Sequence, residues 1–280
     1  MKPLVLLAAV GSIALLATAP PKPATRDGTP VLPRPELLRA VFSSVLPLAA
    51  DYWWIQTIQA VGRAFTGAEY REAYYYGDLA TDLDPDFETV YDFVAVGVPH
   101  HETRERWVNV DESNAILAKG SRRFPGNWRY KFLAGYNTGF LQRRYQEAGE
   151  LFAEAGKLGA PASASSLATR FLVKGSELEG ASRLAETLEE TAPDAETRAF
   201  WQKRRKQIEL EGILRSLDEA VARYRQQAGR QPENVHSLVA AGLISAVPED
   251  PLGGTIQLNP DGEPYSTSEA TRLELYETDR

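Results

Sequence analysis

The chain has 280 residues, 43% of them hydrophobic, which is enough to bury a core in one elongated domain or in two compact ones. Against 31 Lys and Arg stand 38 Asp and Glu, a net charge of -7 that argues against a nucleic-acid backbone as the main partner. There is no cysteine, which excludes disulfides, thiolate metal sites and cysteine nucleophiles, and three histidines leave little material for general-base chemistry near neutral pH.

After Met1 and Lys2, residues Pro3 to Ala19 carry no charge and have an apolar centre of Leu4, Val5, Leu6, Leu7, Ile13, Leu15 and Leu16. This reads as a secretory signal or a membrane anchor. Ala17-Thr18-Ala19 has the small-x-small form of a cleavage site, but Pro20 follows it directly, so a cleaved and a retained form both stand as readings. Pro20 to Pro35 holds six prolines and reads as an extended spacer.

From Glu36 to about Gly229 apolar residues recur at three and four, as in Leu210, Ile213, Leu214, Leu217, Val221 and Tyr224, which predicts helices uninterrupted by strands. Leu37 to Ala50 is apolar apart from Arg39 and two serines, and Pro47 predicts a kink there; it packs on the first hairpin or contacts a membrane or partner helix. Small residues and prolines then return at fixed offsets: Ala73, Ala80 and Pro85; Ser113, Gly120 and Pro125; Ala181, Leu188 and Pro193; Ala220, Gln227 and Pro232. Ala148, Ala155 and Pro161 repeat the pattern with a slip of one, and Leu117, Phe152 and Tyr224 stand between the first two members of their sets. A small residue lets two helices approach, a large one fills the groove between pairs, and proline stops the helix before the next pair.

On these residues, best seen in Tyr145-Gln146-Glu147-Ala148 with Phe152 and Ala155, the stretch from about Tyr52 to Pro193 resembles the tetratricopeptide repeat family. The resemblance is carried by the second helix of each unit; the family's tryptophan, leucine and glycine signature is only partly replaced by Trp54, Tyr91, Trp128 and Phe132. It implies an all-α, TPR-like α-solenoid of antiparallel helix hairpins over 36–193. Residues 194–246 are expected to form capping helices, with Asp194 to Ala228 as one long helix broken only by Gly212 and Asn234 to Ile244 as a short one.

Residues 247–280 read as a turn and a small β-hairpin, with one strand over Thr255 to Leu258, a turn at Asn259-Pro260-Asp261-Gly262 and Tyr265 on the return strand. Together with the helix before it, Asp250-Pro251-Leu252-Gly253 resembles the end of type II secretion major pseudopilins, with leucine where that family has tryptophan.

No phosphate loop, nucleophile elbow or dinucleotide fingerprint occurs. His100-His101-Glu102 reads as a solvated loop between helices, and Asp82, Asp84, Asp86 and Glu88 as carboxylates capping the helix after Pro85, not as a calcium loop. Glu249, Asp250, Asp261 and Glu263 form a second acidic group, with calcium between the tail loops as the alternative. In Tyr52-Trp53-Trp54 and Tyr74-Tyr75-Tyr76 at least one ring of each trio is expected at the edge of a helix interface or in solvent.

The family's groove lies along first helices and receives a peptide or a neighbouring subunit. Carried onto the third and fourth units, the resemblance selects Tyr130, Leu133, Asn137, Arg170, Val173 and Lys174 as a partner-binding groove suited to an extended or acidic segment. The expected function is a non-enzymatic interaction scaffold or accessory subunit of a bacterial envelope machine such as a type IV pilus, secretion or export system. It would use no catalytic residue, metal or cofactor, and would bind protein partners, not nucleic acid. The expected location is periplasmic, secreted, or held on the cytoplasmic membrane by the N-terminal segment. A helical cell-wall enzyme and a self-assembling structural subunit are the alternatives.

Overall fold

The computed structural model describes residues 29–104, 106–269 and 271–273, so the apolar segment Met1 to Ala19 and most of the spacer lie outside the described residues. The fold is all-α and repeat-like, with two small antiparallel hairpins. Among the described residues no helix is long and apolar enough to cross a membrane. By internal packing the chain divides into two compact units, Met1–Arg144 with Glu154–Pro161, and Tyr145–Ala153 with Ala162–Arg280.

The first unit contains α1 (Pro35–Val41), α2 (Leu46–Arg63), α3 (Gly67–Leu83), α4 (Glu88–Gly97), α5 (Val110–Arg123) and α6 (Trp128–Tyr136), the last running into a π-helical turn, Asn137–Leu141. Pro35 starts α1, where a missing N–H costs nothing, and Pro47 falls in the first turn of α2, so the chain breaks between the two helices and no kink forms at Pro47. Leu38 and Phe42 pack on the first helix pair, while Leu37 and Val41 stay in solvent. A capping box opens α3: Thr66 accepts from the Glu69 amide, and the Glu69 carboxylate accepts from the Phe65 and Thr66 amides at 2.8 and 2.9 Å.

Successive helices pack in chain order, α2 on α3, α3 on α4, α4 on α5 and α5 on α6. At the recurring positions Ala73, Ala80 and Ser113 are fully buried. Gly120 lies under the Tyr130 ring, where an added Cβ would meet ring atoms at 3.1–3.2 Å, so the absent side chain is what admits the next helix. Trp53 and Tyr76 are buried, and Tyr52, Trp54, Tyr74 and Tyr75 half-buried at the edges of the interface.

Between α4 and α5, where a solvated loop is expected, the chain forms a hairpin of β1 (His100–Thr103) and β2 (Arg106–Val108). His100 stacks on Tyr70 at 4.9 Å and His101 on Trp107 at 4.8 Å, so the adjacent histidines point apart and each finds a ring. Asn109, with φ of 61°, turns the chain into α5 and donates through Nδ2 to the carbonyls of Gly67 and Val98.

The acidic run around Pro85 does not cap α4, whose N-cap is Phe87 without a side-chain bond. Its carboxylates bind cations and amides instead: Asp78 and Asp82 hold Lys119 at 2.7 Å each, Asp86 pairs with Arg123, Asp84 accepts from the Asp86 amide, and Glu88 accepts from Asn127.

The second unit contains α8 (Ala162–Lys174), α9 (Leu178–Glu190), α10 (Ala195–Ala228) and α11 (Val235–Ala240), while α7 (Tyr145–Lys157) is divided between the units at Ala153. Gly149 of α7 lies so close to α8 that an added Cβ would meet the Leu172 amide nitrogen at 2.9 Å. Phe152 stacks on Phe171 at 5.3 Å. Asp194 caps α10, a rod of about 51 Å at 1.5 Å per residue, by accepting from the Thr197 amide; the helix passes through Gly212 and ends at Gly229, φ 68°. Asn234 caps α11, and Gly242, φ 69°, follows its end.

The expected tail hairpin is present, β3 (Ile256–Leu258) against β4 (Pro264–Ser266) with Gln257 opposite Tyr265. Its anchor is Asp250, whose carboxylate accepts from the Leu252 amide at 2.8 Å and from the hydroxyls of Ser266 and Ser268. Gly253 has φ of 88°, and a Cβ on Gly254 would strike the Asp250 carboxylate and the Ser268 amide, so both glycines of the turn are required. Leu210, Leu214, Leu217 and Val221 of α10 pack with Val235, Leu238 and Ile256 to form the core here.

Candidate functional site

Of the six residues selected by the family resemblance, Tyr130, Asn137 and Val173 are buried. Tyr130 is fully buried against Gly120 because α6 turns that face toward α5, and Leu133 packs half-buried on the same core. Asn137 is buried in the π-helical turn, donating to the Ser113 hydroxyl at 2.8 Å and the Asn114 side-chain Oδ1 at 3.0 Å, while Ser113 donates to the Ala95 backbone carbonyl. It joins the turn to α5. Val173 is fully buried in the core of the second unit, and the Lys174 ammonium lies 5.5 Å from the Tyr145 ring. Exposed positions on and just after α6 are Arg129, Tyr136 and Phe140. Arg170 lines a cleft.

That cleft lies inside the second unit and has a volume of about 150 Å³. Arg170 of α8 forms one wall, Gln207, Leu210, Glu211 and Leu214 of α10 another, and Tyr265, Ser266, Glu269 and Thr271–Leu273 the third. The α10 residues recur at three and four, so one helix face supplies them all. At this volume the cleft holds a side chain or a small anion, and it is well below the usual small-molecule pocket of roughly 300–1,000 Å³.

The cleft's acids are committed to cations. Glu211, 1% exposed, receives Arg272 bidentately at 2.8 and 3.2 Å and Arg215 at 2.9 Å; Arg272 also donates to Asp218 at 2.7 Å, and Arg215 to the Val173 carbonyl. Burial works against the Arg272 cation, but the hydrogen bonds it donates to Glu211 and Asp218 outweigh it and raise its pKa above the ordinary arginine value. Glu269 is held below the usual carboxylate range by its bond to Lys203 at 2.8 Å, with Gln207 at 3.1 Å assisting. An acid so placed is not poised to donate a proton at neutral pH.

Arg204, one turn before Gln207, is the exception. It is 5% exposed, its Nη2 donates to the Ser166 hydroxyl at 3.2 Å, and its guanidinium lies 5.5 Å from the Phe200 ring. Its Nε and Nη1 are buried without a hydrogen-bond partner among the described residues. Burial first, and the Arg170 cation second, push its pKa down to about 10, with Glu269 offsetting part of the effect. Two guanidinium groups therefore repel each other beside the cleft, a pairing that an anion would relieve. Sequence reasoning missed Arg204, Glu211 and Arg272, although Arg204 and Glu211 interrupt an otherwise apolar face of α10 formed by Trp201, Ile208 and Leu214.

A broader depression of about 690 Å³ is lined by Asn234 to His236, Val247 to Asp250 and Gly254 to Leu258. The Asp250 carboxylate beside it is turned into the hairpin, and Glu263 accepts from Asn259, which places both in tying loops together. Among the described residues no group of three or more potential metal-ligating side chains comes together. Compared with protein-family models, curated proteins and solved structures, the chain finds no match in any of the three.

Proposed function

We propose that this chain is a non-enzymatic interaction scaffold of the cell envelope, and that the cleft lined by Arg170, and by Gln207 one helical turn after Arg204, receives an acidic side chain or chain terminus of a protein partner. The observation that carries the reading is Arg204, a buried guanidinium whose Nε and Nη1 have no hydrogen-bond partner among the described residues and which lies near a second arginine, Arg170. A cation kept in so unfavourable a place weakens the fold, and binding is the function that compensates. Recurring small residues, buried where paired helices touch, support a TPR-like stack as the framework. The uncharged segment Pro3 to Ala19 supports secretion or tethering to the cytoplasmic membrane, and the Asp250-Pro251-Leu252-Gly253 turn is what points to pilus or secretion machinery.

The test is the Arg204→Met variant, which keeps volume and removes charge. Stability is expected to rise by about 1–3 kcal/mol, read as a higher Tm, while affinity for a fluorescent acetyl-Glu-Glu-Leu-Glu-Glu peptide falls at least tenfold in anisotropy titrations. Equal affinity of the variant and the parent for this peptide sinks the assignment.

A further inference from the structure

Half of the exposed large apolar side chains among the described residues fall between Val31 and Phe65: Val31, Leu37, Val41, Leu48, Ile55, Ile58 and Phe65. Helix α2 explains part of the cluster. Its inner face, Ala49, Ala50, Trp53, Thr57 and Ala60, is buried in the first helix pair. Leu48, Ile55 and Ile58 follow a helical repeat on the opposite side, and Phe65, 84% exposed, stands just beyond the helix end. A helix on the surface of a protein normally turns charge outward. Here the exposed positions carry two charged residues, Asp51 and Arg63, and Arg63 is drawn aside to Glu72 at 3.5 Å.

We propose that this outer face of α2, with Phe65, rests on the surface of a lipid bilayer, the aliphatic tips entering the boundary between headgroups and acyl chains. The proposal rests on the reading of Met1 to Ala19 as a retained membrane segment. Two observations favour lipid over a second copy of the chain. The spacer from Pro20 joins that apolar segment directly to the patch, and at about 3.1 Å per residue its reach keeps the first helices within roughly 50 Å of the bilayer. A tether supplies a local concentration near the millimolar range, at which a few exposed apolar side chains suffice.

The chain contains no cysteine, so single-cysteine labelling is clean. Full-length Ile55→Cys and Phe65→Cys, labelled with an environment-sensitive nitrobenzoxadiazole dye, would be reconstituted in phosphatidylcholine vesicles with and without lipids spin-labelled near the headgroup. Gly126→Cys, in an exposed turn with open space around it, is the control. The expected result is at least twofold quenching of the 55 and 65 labels by the spin-labelled lipid and none at 126. Blue-shifted emission without lipid quenching would mean that protein covers the face, and emission typical of water would mean that nothing does; either overturns the proposal. Co-sedimentation of the same samples reports whether the chain is membrane-held at all, so failure of the tether is distinguished from failure of docking.

Discussion

Tyr130 illustrates how a residue of binding type becomes a residue of packing type. Its ring closes over Gly120 and lies near Tyr91 and Phe124, and its hydroxyl is buried with no hydrogen-bond partner among the described residues. Burial pushes the phenol pKa up, so the group stays neutral. Tyr130→Phe removes only that unsatisfied hydroxyl. We expect stability to stay equal or to rise by up to about 1 kcal/mol in chemical denaturation, with no change in peptide affinity. A fall in affinity would return Tyr130 to the binding surface. Counting within the third and fourth units placed Tyr130, Asn137 and Val173 on an open groove lined by first helices, whereas each is buried between packed helices, because the first helices lack the signature that would fix their register. Arg170, selected from the sequence, lines the cleft; Glu211 and Arg272 could not be selected that way, since they lie 61 positions apart and the fold alone pairs them.

At the scale of elements, the helical path and the tail hairpin were readable because they rest on local rules: proline after each second helix, Asn and Asp at N-caps, glycine at positive φ. The β1–β2 hairpin was not. Its strands are short and polar, and what holds them is the stacking of His100 and His101 on Tyr70 and Trp107 and the Asn109 clamp, contacts beyond the reach of periodicity. Two glycines in helices give opposite predictions. Gly149→Ala would drive a Cβ into Leu172, including its backbone nitrogen, and should cost about 1–3 kcal/mol. Gly212→Ala meets Leu178 at an ordinary 3.5 Å inside α10 and should gain about 0.5–1 kcal/mol from the lost freedom of the unfolded chain. Urea unfolding of both variants checks the pair, and the same sign for both would contradict the packing described.

For the whole molecule, acid is the condition that reaches both units at once. Backbone hydrogen bonds hold Glu69 and Asp194 below their ordinary pKa at the starts of α3 and α10, and the bond to Lys203 does so for Glu269. At Asp250 burial opposes the shift, but bonds from Ser266, Ser268 and Leu252 prevail and lower it too. A carboxylate with a depressed folded value contributes stability that is full above its unfolded pKa, about 4–4.5, and lost as pH falls through the folded one. Thermal melting should therefore show a Tm that is level in its carboxylate contribution above about pH 5 and declines below it. Glu69→Gln together with Asp194→Asn should flatten that decline, and an unchanged slope in the double variant would place the acid sensitivity elsewhere.

The three walls of the cleft come from α8, from α10 and from β4 with the segment that follows it. During synthesis the first two are complete well before the third exists, so a ribosome-bound chain that ends short of Arg272 has no pocket to offer. Under the proposed function, partner capture would wait until the hairpin has folded back, and chains truncated before Arg272 would have no pocket with which to join an assembly.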